Sequence, residues 1–260
     1  MIRALWASAS GMASQQTQID AIAHNLANIN TQGFKKSRVN FQDLMYQTLR
    51  TAGSTTAAGG QLPVGIQVGM GSKVVSVEKI FLQGDFTQTK NQLDLAIEGK
   101  GFFKLLNNGQ EVYTRSGAFK MDKDGVICDS NGNRLQPEFT VPAKAVTITI
   151  EPGGKLVAAG SDGKELASTQ IQLFDFVNPA GLRARGQNLF LVSDGSGDPV
   201  QGNPGTDEFG TILQGFTEMS NVDVVEEMIN MIMAQRAYEM GTKVIQTSDQ
   251  CLQQANNLIR

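Results

Sequence analysis

The stretch NLANINTQGFKKS, residues 25–37, ends one kind of sequence pattern and begins another. Asn25, Asn28 and Asn30 crowd the end of an apolar, helix-patterned segment, and a glycine and two lysines follow. Gly33 suits the left-handed conformation with which many helices stop, and lysines are favourable near the negative end of a helix dipole. From these residues alone two interpretations stay open, an active site or a fitted joint between subunits.

The segment before this stretch has the apolar period of a helix. Leu5, Met12, Ile19 and Leu26 recur every seven residues in a segment without proline. Apolar residues at this spacing form one stripe on a helix. We therefore predict an amphipathic helix from about residue 2 to residue 30.

The last forty residues repeat this period over a longer distance. A large row and a small row run side by side, Val224, Met231, Tyr238, Ile245, Leu252 and Ile259 against Ala234, Gly241, Ser248 and Ala255. Ser220 or Asn221 is predicted as the N-cap, with Asp223 in the first turn. At 1.5 Å per residue the helix would be about 55 Å long, so it needs another helix as its partner. The N-terminal helix is the obvious candidate.

The sequence pattern in the middle of the chain predicts β structure. Segments such as KVVSVEKIF (73–81) alternate, and AVTITIEPGGKLVAAGSDGK (145–164) predicts a hairpin that turns at residues 152–154. The predicted fold class is α+β, in which long N- and C-terminal helices pair as a coiled-coil-like domain beside a central, mostly antiparallel β domain. We expect the helices within 1–33 and 220–260, and the β domain at 71–219.

Residues 34–70 are predicted as a linker or extended segment. FQDLMYQTL (41–49) is compatible with a short helix or a strand. The insert at 51–67 is rich in Gly, Ala and Thr, and includes Gly53, Gly59, Gly60 and Pro63. Such a composition predicts disorder in a free monomer.

Composition argues against several classes of function. The net charge of −3 gives no electrostatic reason to expect nucleic acid. The longest apolar runs are too short for a membrane span, and the N-terminus has no secretory signal pattern, which taken alone indicates the cytoplasm.

The residues also predict no catalytic, cofactor or metal site. His24 is the single histidine, so it has no second histidine as partner. A calcium loop that starts at Asp129 fails at Arg134 and Thr140, where Gly and Glu are needed. The two cysteines, at positions 128 and 251, are interpreted as buried free thiols, with a single disulfide as the alternative.

Two long motifs at opposite ends of the chain carry a family resemblance. ASASGMASQQTQIDAIAHNLANINTQGFKKSR (7–38) resembles the N-terminal signature of the flagellar rod and hook proteins, the axial family. GFTEMSNVDVVEEMINMIMAQRAYEMGTKVIQTSDQCL (215–252) resembles their C-terminal signature. QGDFTQTKNQLDLAIEGKGFF (83–103) and YTRSGAFKMDKDG (113–125) are similar to the middle of these proteins, so the resemblance covers most of the chain.

The resemblance implies a structural protein rather than an enzyme. In this family the terminal helices stack as the inner tube of a helical homopolymer, and the β domain forms an outer layer. The chain length and the Gly-rich insert favour the distal rod, a rigid tube that transmits motor torque through the periplasm to the hook. The subunit would lie in the basal body, from the periplasm to the outer membrane, after type III export without a cleaved signal peptide.

The resemblance also implies partners. These are other copies of the chain, the proximal rod proteins, the hook protein, the peptidoglycan and outer-membrane ring proteins, and the type III export apparatus, with no nucleic acid and no membrane insertion. Alternatives are a hook or proximal rod protein of the same family and, more remotely, a β-rich cell-wall-binding module or enzyme. That last class needs a carboxylate pair or an aromatic platform, and Trp6 is the single tryptophan.

The expected assembly residues follow from the two motifs and the insert. They are Leu5, Met12, Ile19, Asn25, Leu26, Asn28, Gly33, Val224, Met231, Tyr238, Gly241, Ile245 and Leu252, with Gly53, Gly59, Gly60 and Pro63 as the rod-specific insert. We expect the amides of Asn25 and Asn28 to fix the register between subunits. Lys35, Lys36 and Arg38 are expected to meet acidic groups of a neighbouring subunit.

Overall fold

A computed structural model describes residues 2–53, 63–206 and 208–258 of the chain. The chain forms two compact units. The first, called here the helical unit, comprises the described parts of 1–26, 37–78 and 223–260. The second, called the β unit, comprises 27–36 and the described parts of 79–222.

The helical unit contains two long helices and four strands. They are α1 (Ile2–Ala27), β1 (Ser37–Asp43), β2 (Tyr46–Arg50), β3 (Ile66–Gly69), β4 (Ser72–Lys79) and α2 (Val224–Leu258). β1 pairs with β4, and β2 pairs antiparallel with β3. The predicted linker at 34–70 therefore contains three strands, because FQDLMYQTL supplies the end of β1 and most of β2. β4, expected in the β domain, groups mainly with the helices.

The Gly-rich insert lies between β2 and β3. Gly53 has a positive φ of +82°, and Pro63 lies in the bend that precedes β3. Gly59 and Gly60 lie outside the described residues.

The two helices run antiparallel and contact each other. Asn25, near the end of α1, reaches Glu227 near the start of α2. Met12, earlier in α1, lies against Gly241, further along α2. The small row predicted on α2 faces this seam, with Ala234 buried and Gly241 half-buried.

The ends of both helices differ from the sequence prediction. α1 ends at Ala27 rather than near residue 30. The N-cap of α2 is Asp223, whose Oδ1 accepts hydrogen bonds from the N–H groups of Val225 (2.8 Å) and Glu226 (3.2 Å). The predicted cap at Ser220 or Asn221 is wrong, because the Asn221 side chain binds backbone groups elsewhere in the β unit.

The β unit is built almost entirely from antiparallel strands. They are β5 (Phe86–Gln88), β6 (Leu95–Glu98), β7 (Phe103–Asn107), β8 (Gln110–Thr114), β9 (Lys120–Met121), β10 (Ile127–Cys128), β11 (Arg134–Gln136), β12 (Ala145–Ile150), β13 (Lys155–Gly160), β14 (Glu165–Gln170), β15 (Leu173–Asp175), β16 (Arg183–Gly186), β17 (Leu189–Leu191), β18 (Val200–Gly202), β19 (Thr211–Gln214) and β20 (Phe216–Glu218), with a 3-10 turn at Pro179–Gly181. The largest sheet has seven strands in the order β16-β17-β8-β7-β11-β10-β9, and a second has the order β12-β13-β14. The α+β fold class is confirmed, and so is the predicted hairpin, because β12 pairs with β13 around residues 151–154.

Two apolar clusters form the core of the β unit. The larger is mainly aliphatic and includes Leu95, Leu105 and Leu156. The smaller is mainly aromatic and includes Phe102, Phe174, Phe176 and Phe190, whose rings meet edge to face with those of Phe81 and Tyr113. These two clusters give the unit an apolar interior of its own.

Candidate assembly surface and buried polar anchors

The outer apolar face of α2 consists of seven side chains on the side away from α1. They are Val225, Met228, Ile229, Ile232, Met233, Met240 and Val244, all exposed. Consecutive members are one, three, four or seven residues apart, which places all seven on one side of the helix. Large apolar side chains that form a contiguous exposed stripe mark a surface that another protein covers.

The strands of the helical unit and the residues that flank them add further exposed apolar side chains. Met45, Tyr46, Val64, Val75 and Val77 are all more than half exposed, and Met45 reaches 84%. A two-stranded ribbon is marginally stable on its own in water. The pairs β1–β4 and β2–β3 therefore present surface that further contacts would stabilise.

The predicted heptad residues line the seam inside the chain more than they line this outer face. The half-buried members are Leu5, Met12, Ile19, Leu26, Met231, Tyr238, Gly241 and Ile245, whereas Val224 and Leu252 are exposed. Their role between subunits stays a prediction. The outer apolar face was not predicted from the sequence, because its residues belong to neither the large row nor the small row that was followed on α2.

Asn25 is anchored within its own chain. It is 1% exposed, its Nδ2 donates to the Ser37 carbonyl at 2.9 Å, and its Oδ1 accepts from the Ser37 N–H at 2.8 Å. Nδ2 also lies 3.3 Å from Oε2 of Glu227. The side chain thus joins the end of α1 to the start of β1 and to α2, which differs from the expected contact with a second subunit.

The other two residues of the motif also have local partners. The Asn28 Oδ1 accepts from the Thr31 hydroxyl at 3.1 Å. Gly33 has φ +68°, and a Cβ there would lie 2.6 Å from the Ser116 backbone nitrogen and 2.8 Å from its Cα. Only glycine fits this close approach of two backbones. Because α1 already ends at Ala27, Gly33 does not supply the helix stop expected from the sequence.

A buried ion cluster occupies the β unit. Lys35 and Glu218 are each 1% exposed, and Arg115 is 5% exposed. Lys35 Nζ lies 2.6 Å from Glu218 Oε1, and Arg115 Nε lies 2.7 Å from Glu218 Oε2. Glu218 also accepts the Gly84 N–H, and its own carbonyl accepts the Gly33 N–H.

The ionisation of this cluster follows from burial and charge. Burial pushes the pKa of Glu218 upward, but the nearby Arg115 and Lys35 outweigh it, so the pKa lies below its usual range. Burial lowers the pKa of Lys35, and the attraction of Glu218 opposes part of this change. The expected docking of Lys35 on a neighbouring subunit is therefore wrong, because its acidic partner is Glu218 of its own chain. Arg38 pairs with Glu78, but its side chain is 62% exposed, so its contact with a neighbouring subunit stays a prediction.

Asn221 holds two segments of the β unit together. Its Oδ1 accepts the N–H of Lys36 at 2.7 Å, and its Nδ2 donates to the carbonyls of Ile80 and Leu82. Arg115 and Glu218 were missed as single residues, and Asn221 was named only as a possible helix cap, although each lies in a motif that carried the family resemblance. Arg115 could have been found from the sequence, because a charged residue in an aromatic segment such as VYTRSGAF indicates a buried charge that needs a partner.

Other sequence predictions concern the cysteines, a membrane span and a metal site. Both cysteines are free thiols, Cys128 buried and Cys251 exposed, so burial of the second was wrong. Across the described ranges no helix is both long and apolar enough to cross a membrane. Within those same ranges no three His, Cys, Asp or Glu side chains group in a way that suits a metal ion.

Three family models match the chain. They are the flagellar basal body rod protein (residues 5–35), the D1 domain of the flagellar hook protein FlgE/F/G (96–158) and the C-terminal part of the flagellar basal body rod protein FlgEFG (213–258). The flagellar basal-body rod protein FlgG of Caulobacter vibrioides is 48% identical over 261 residues, which cover 99% of each chain. That of Borreliella burgdorferi is 46% identical over the full length of both chains.

The chain belongs to the flagellar basal-body rod protein family. Proteins of this family are structural subunits of the rod and not enzymes, in agreement with the prediction. The flagellar hook protein FlgE of Borreliella burgdorferi is 44% identical over 138 residues, 52% of this chain but 31% of that protein. Among solved structures, the hook protein FlgE2 of Helicobacter pylori aligns with 71% of this chain at 15% identity and a TM-score of 0.25, too low for a structural argument.

Proposed function

We propose that this rod-family chain is the subunit of the distal rod and polymerises through its helical unit into a rigid helical tube. The tube would transmit motor torque through the periplasm to the hook. The observation that carries the proposal is the outer apolar face of α2, which the chain itself leaves exposed. Relatives that match over the whole chain and are named as rod proteins support it.

The geometry of the surface favours an open polymer. The outer apolar face of α2 and the exposed side chains of β1–β4 are different patches of one unit. When one patch of a subunit binds a different patch of the next, the contact repeats as a ring or a helix rather than closing a dimer. Apolar area that is covered in this way supplies the free energy of assembly.

The insert at 51–67 would order between subunits and stiffen the tube. Its described ends adjoin β2 and β3, whose side chains are mostly exposed. Removing residues 51–64, which spares β3, is expected to give a polymer that bends like a hook. A Gly-Ser segment of equal length at the same place is the matched control, and a straight, rigid product from the deletion would refute this role.

The proposal includes the location and partners of the subunit. It would leave the cell through the type III export apparatus without a cleaved signal peptide. It would then extend from the proximal rod to the hook, within the peptidoglycan and outer-membrane rings. Hook protein is the second candidate, favoured by the match to FlgE, but that match spans 31% of the hook protein whereas the rod proteins match from end to end.

Amide hydrogen exchange before and after polymerisation tests the proposal. In the soluble protein we expect amides of α1, α2 and β1–β4 to exchange faster than those of β6–β8. In the polymer the helices should become protected, while the β unit changes little. If the helices are already as protected in a stable monomer as in concentrated protein, the helical unit is complete by itself and the proposal is wrong.

A further inference from the structure

The β unit contains a small cavity with aromatic walls and cationic side chains. Its volume is about 230 Å³, and its lining includes Phe81, Phe102 and Phe176 together with Lys35, Lys100 and Arg115. Pockets for drug-sized ligands are larger, about 300–1,000 Å³. The cavity therefore suits a ligand of a few heavy atoms.

Positive charge is in excess in this region. Lys35 and Arg115 are almost completely buried, and Glu218 is the carboxylate that pairs with both. Asp175 also lines the cavity and is half-buried, and its Oδ1 accepts the N–H of Phe176. With the exposed Lys100 at the rim, the region contains three cationic side chains, Lys35, Lys100 and Arg115, against two carboxylates, Glu218 and Asp175. Two buried cations against one buried anion are unfavourable in a medium of low polarity unless another anion approaches.

The two buried cations also have hydrogen-bond donors to spare. An ammonium group has three N–H donors and a guanidinium group has five. Lys35 Nζ donates to Glu218 and to the Leu82 carbonyl. Arg115 donates through Nε to Glu218, through Nη1 to the Gly101 carbonyl, and through Nη2 to the carbonyls of Ile97 and Gly99. Among the described residues, one donor of each cation stays unused.

We infer that this cavity binds a small organic carboxylate, with the anionic group toward Lys35 and Arg115 and an apolar body against the phenylalanine rings. The carboxylate would balance the excess buried charge and accept the unused donors in charge-assisted hydrogen bonds. The inference is independent of the proposed rod function. The same chemistry could come from a free acid or from an acidic side chain of another chain.

Titration of the full-length protein with sodium benzoate tests the inference. Sodium acetate and sodium chloride at equal ionic strength serve as comparisons, and the readouts are saturation-transfer NMR and the melting temperature of the β unit. We expect saturable binding of benzoate, weaker binding of acetate, and no effect of chloride beyond ionic strength. Loss of a charge-assisted hydrogen bond in Lys35→Met should weaken benzoate binding by about tenfold or more.

Two further variants keep the test decisive if Lys35→Met folds poorly. Lys100→Met changes an exposed rim residue, so the fold should be retained while the affinity falls several-fold. Lys123→Met, on the exposed turn after β9, is the matched control and should bind as well as the unchanged protein. Absence of benzoate binding, or binding that neither Lys35→Met nor Lys100→Met weakens, would overturn the inference.

The assembled protein distinguishes the two sources of the carboxylate. Persistent benzoate binding in the polymer indicates a site for a free acid. If benzoate no longer binds and differently labelled copies show a contact between the cavity and an Asp or Glu side chain, the neighbouring chain supplies the anion. Loss of binding without such a contact contradicts both sources in the assembled state.

Discussion

The helical unit and the β unit use their apolar side chains in opposite ways. In the β unit Phe103, Leu105 and Val112 have no exposed surface, and two apolar clusters fill the interior. Among the described residues of the helical unit the buried apolar side chains are Ile22, Val39 and Ala234, while α2 alone exposes the seven side chains of its outer apolar face. A unit with its own core can fold alone. The exposed apolar side chains of the helical unit are instead typical of one side of a protein–protein interface.

Polar anchors, by contrast, are buried in both units. The stretch at 25–37 contributes Asn25 to the helical unit and Lys35 to the β unit, each 1% exposed. A buried polar group that loses its partner costs far more than an exposed one. Substitutions at these anchors should therefore lower the stability of the unit that contains them, and this effect can be measured separately from assembly.

The largest effect is expected when Glu218 loses its charge. Glu218→Gln leaves Lys35 and Arg115 as buried cations without an anion. Breaking a buried pair in this way costs about 3–5 kcal/mol, so the free energy of unfolding of the β unit in urea should fall by that amount. Glu138→Gln, in the exposed pair with Arg134, is the control and should cost about 0–1 kcal/mol. Equal effects of the two variants would show that the cluster does not stabilise the β unit.

The same variant should change the acid stability of the β unit. Because the pKa of Glu218 is lowered in the folded state, its contribution is complete above the usual carboxyl range and is lost as the pH falls through the lowered value. Urea unfolding between neutral and acid pH measures this loss. Glu218→Gln should remove that part of the pH dependence, and an unchanged acid profile would contradict the assigned shift.

Gly33 is expected to have the next largest effect. Gly33→Ala combines a positive φ with a Cβ that meets the backbone of Ser116, and we expect a loss of about 2–4 kcal/mol in the β unit. Gly109 has φ +83° with open space around it, so Gly109→Ala should cost only about 1–2 kcal/mol. The difference between the two variants in urea measures the close approach; no difference would mean that the segment at 27–36 can move away.

Asn25 tests the helical unit. Asn25→Ala removes both bonds to the Ser37 backbone and the contact with Glu227, and should cost about 1–3 kcal/mol. Asn28→Ala should cost less, because Asn28 is only half-buried. Far-UV circular dichroism of thermal unfolding follows the helices. If Asn25→Ala melts normally but fails to polymerise, the original expectation of a register role between subunits would be restored.

The sequence predicted those features that depend on local periodicity. The heptad rows of α1 and α2 and the hairpin at 145–160 need only spacing and turn residues, and they agree with the structure. The segment 41–49 was left open between a short helix and a strand, because the pairing partners that decide it lie distant in sequence, as when Tyr46 pairs with Gly69. The partner of Lys35 could not be predicted for the same reason, since Glu218 lies 183 residues further along the chain.

Substitution of Ile232 is expected to have the smallest effect on stability. It is also the most direct test of the difference between the helical unit and the β unit. It lies in the middle of the outer apolar face of α2 and is 55% exposed, so Ile232→Glu should change the free energy of unfolding of the monomer by no more than about 0.5 kcal/mol. In a polymer the same carboxylate would be buried among apolar side chains without a partner, which is strongly unfavourable. We therefore expect sedimentation and electron microscopy to show a folded protein that does not polymerise. Gln235→Glu adds the same charge to an exposed polar position of α2 and should still assemble. If Ile232→Glu polymerises as well as Gln235→Glu, the exposed stripe is not an interface, and the difference between the two units has another cause.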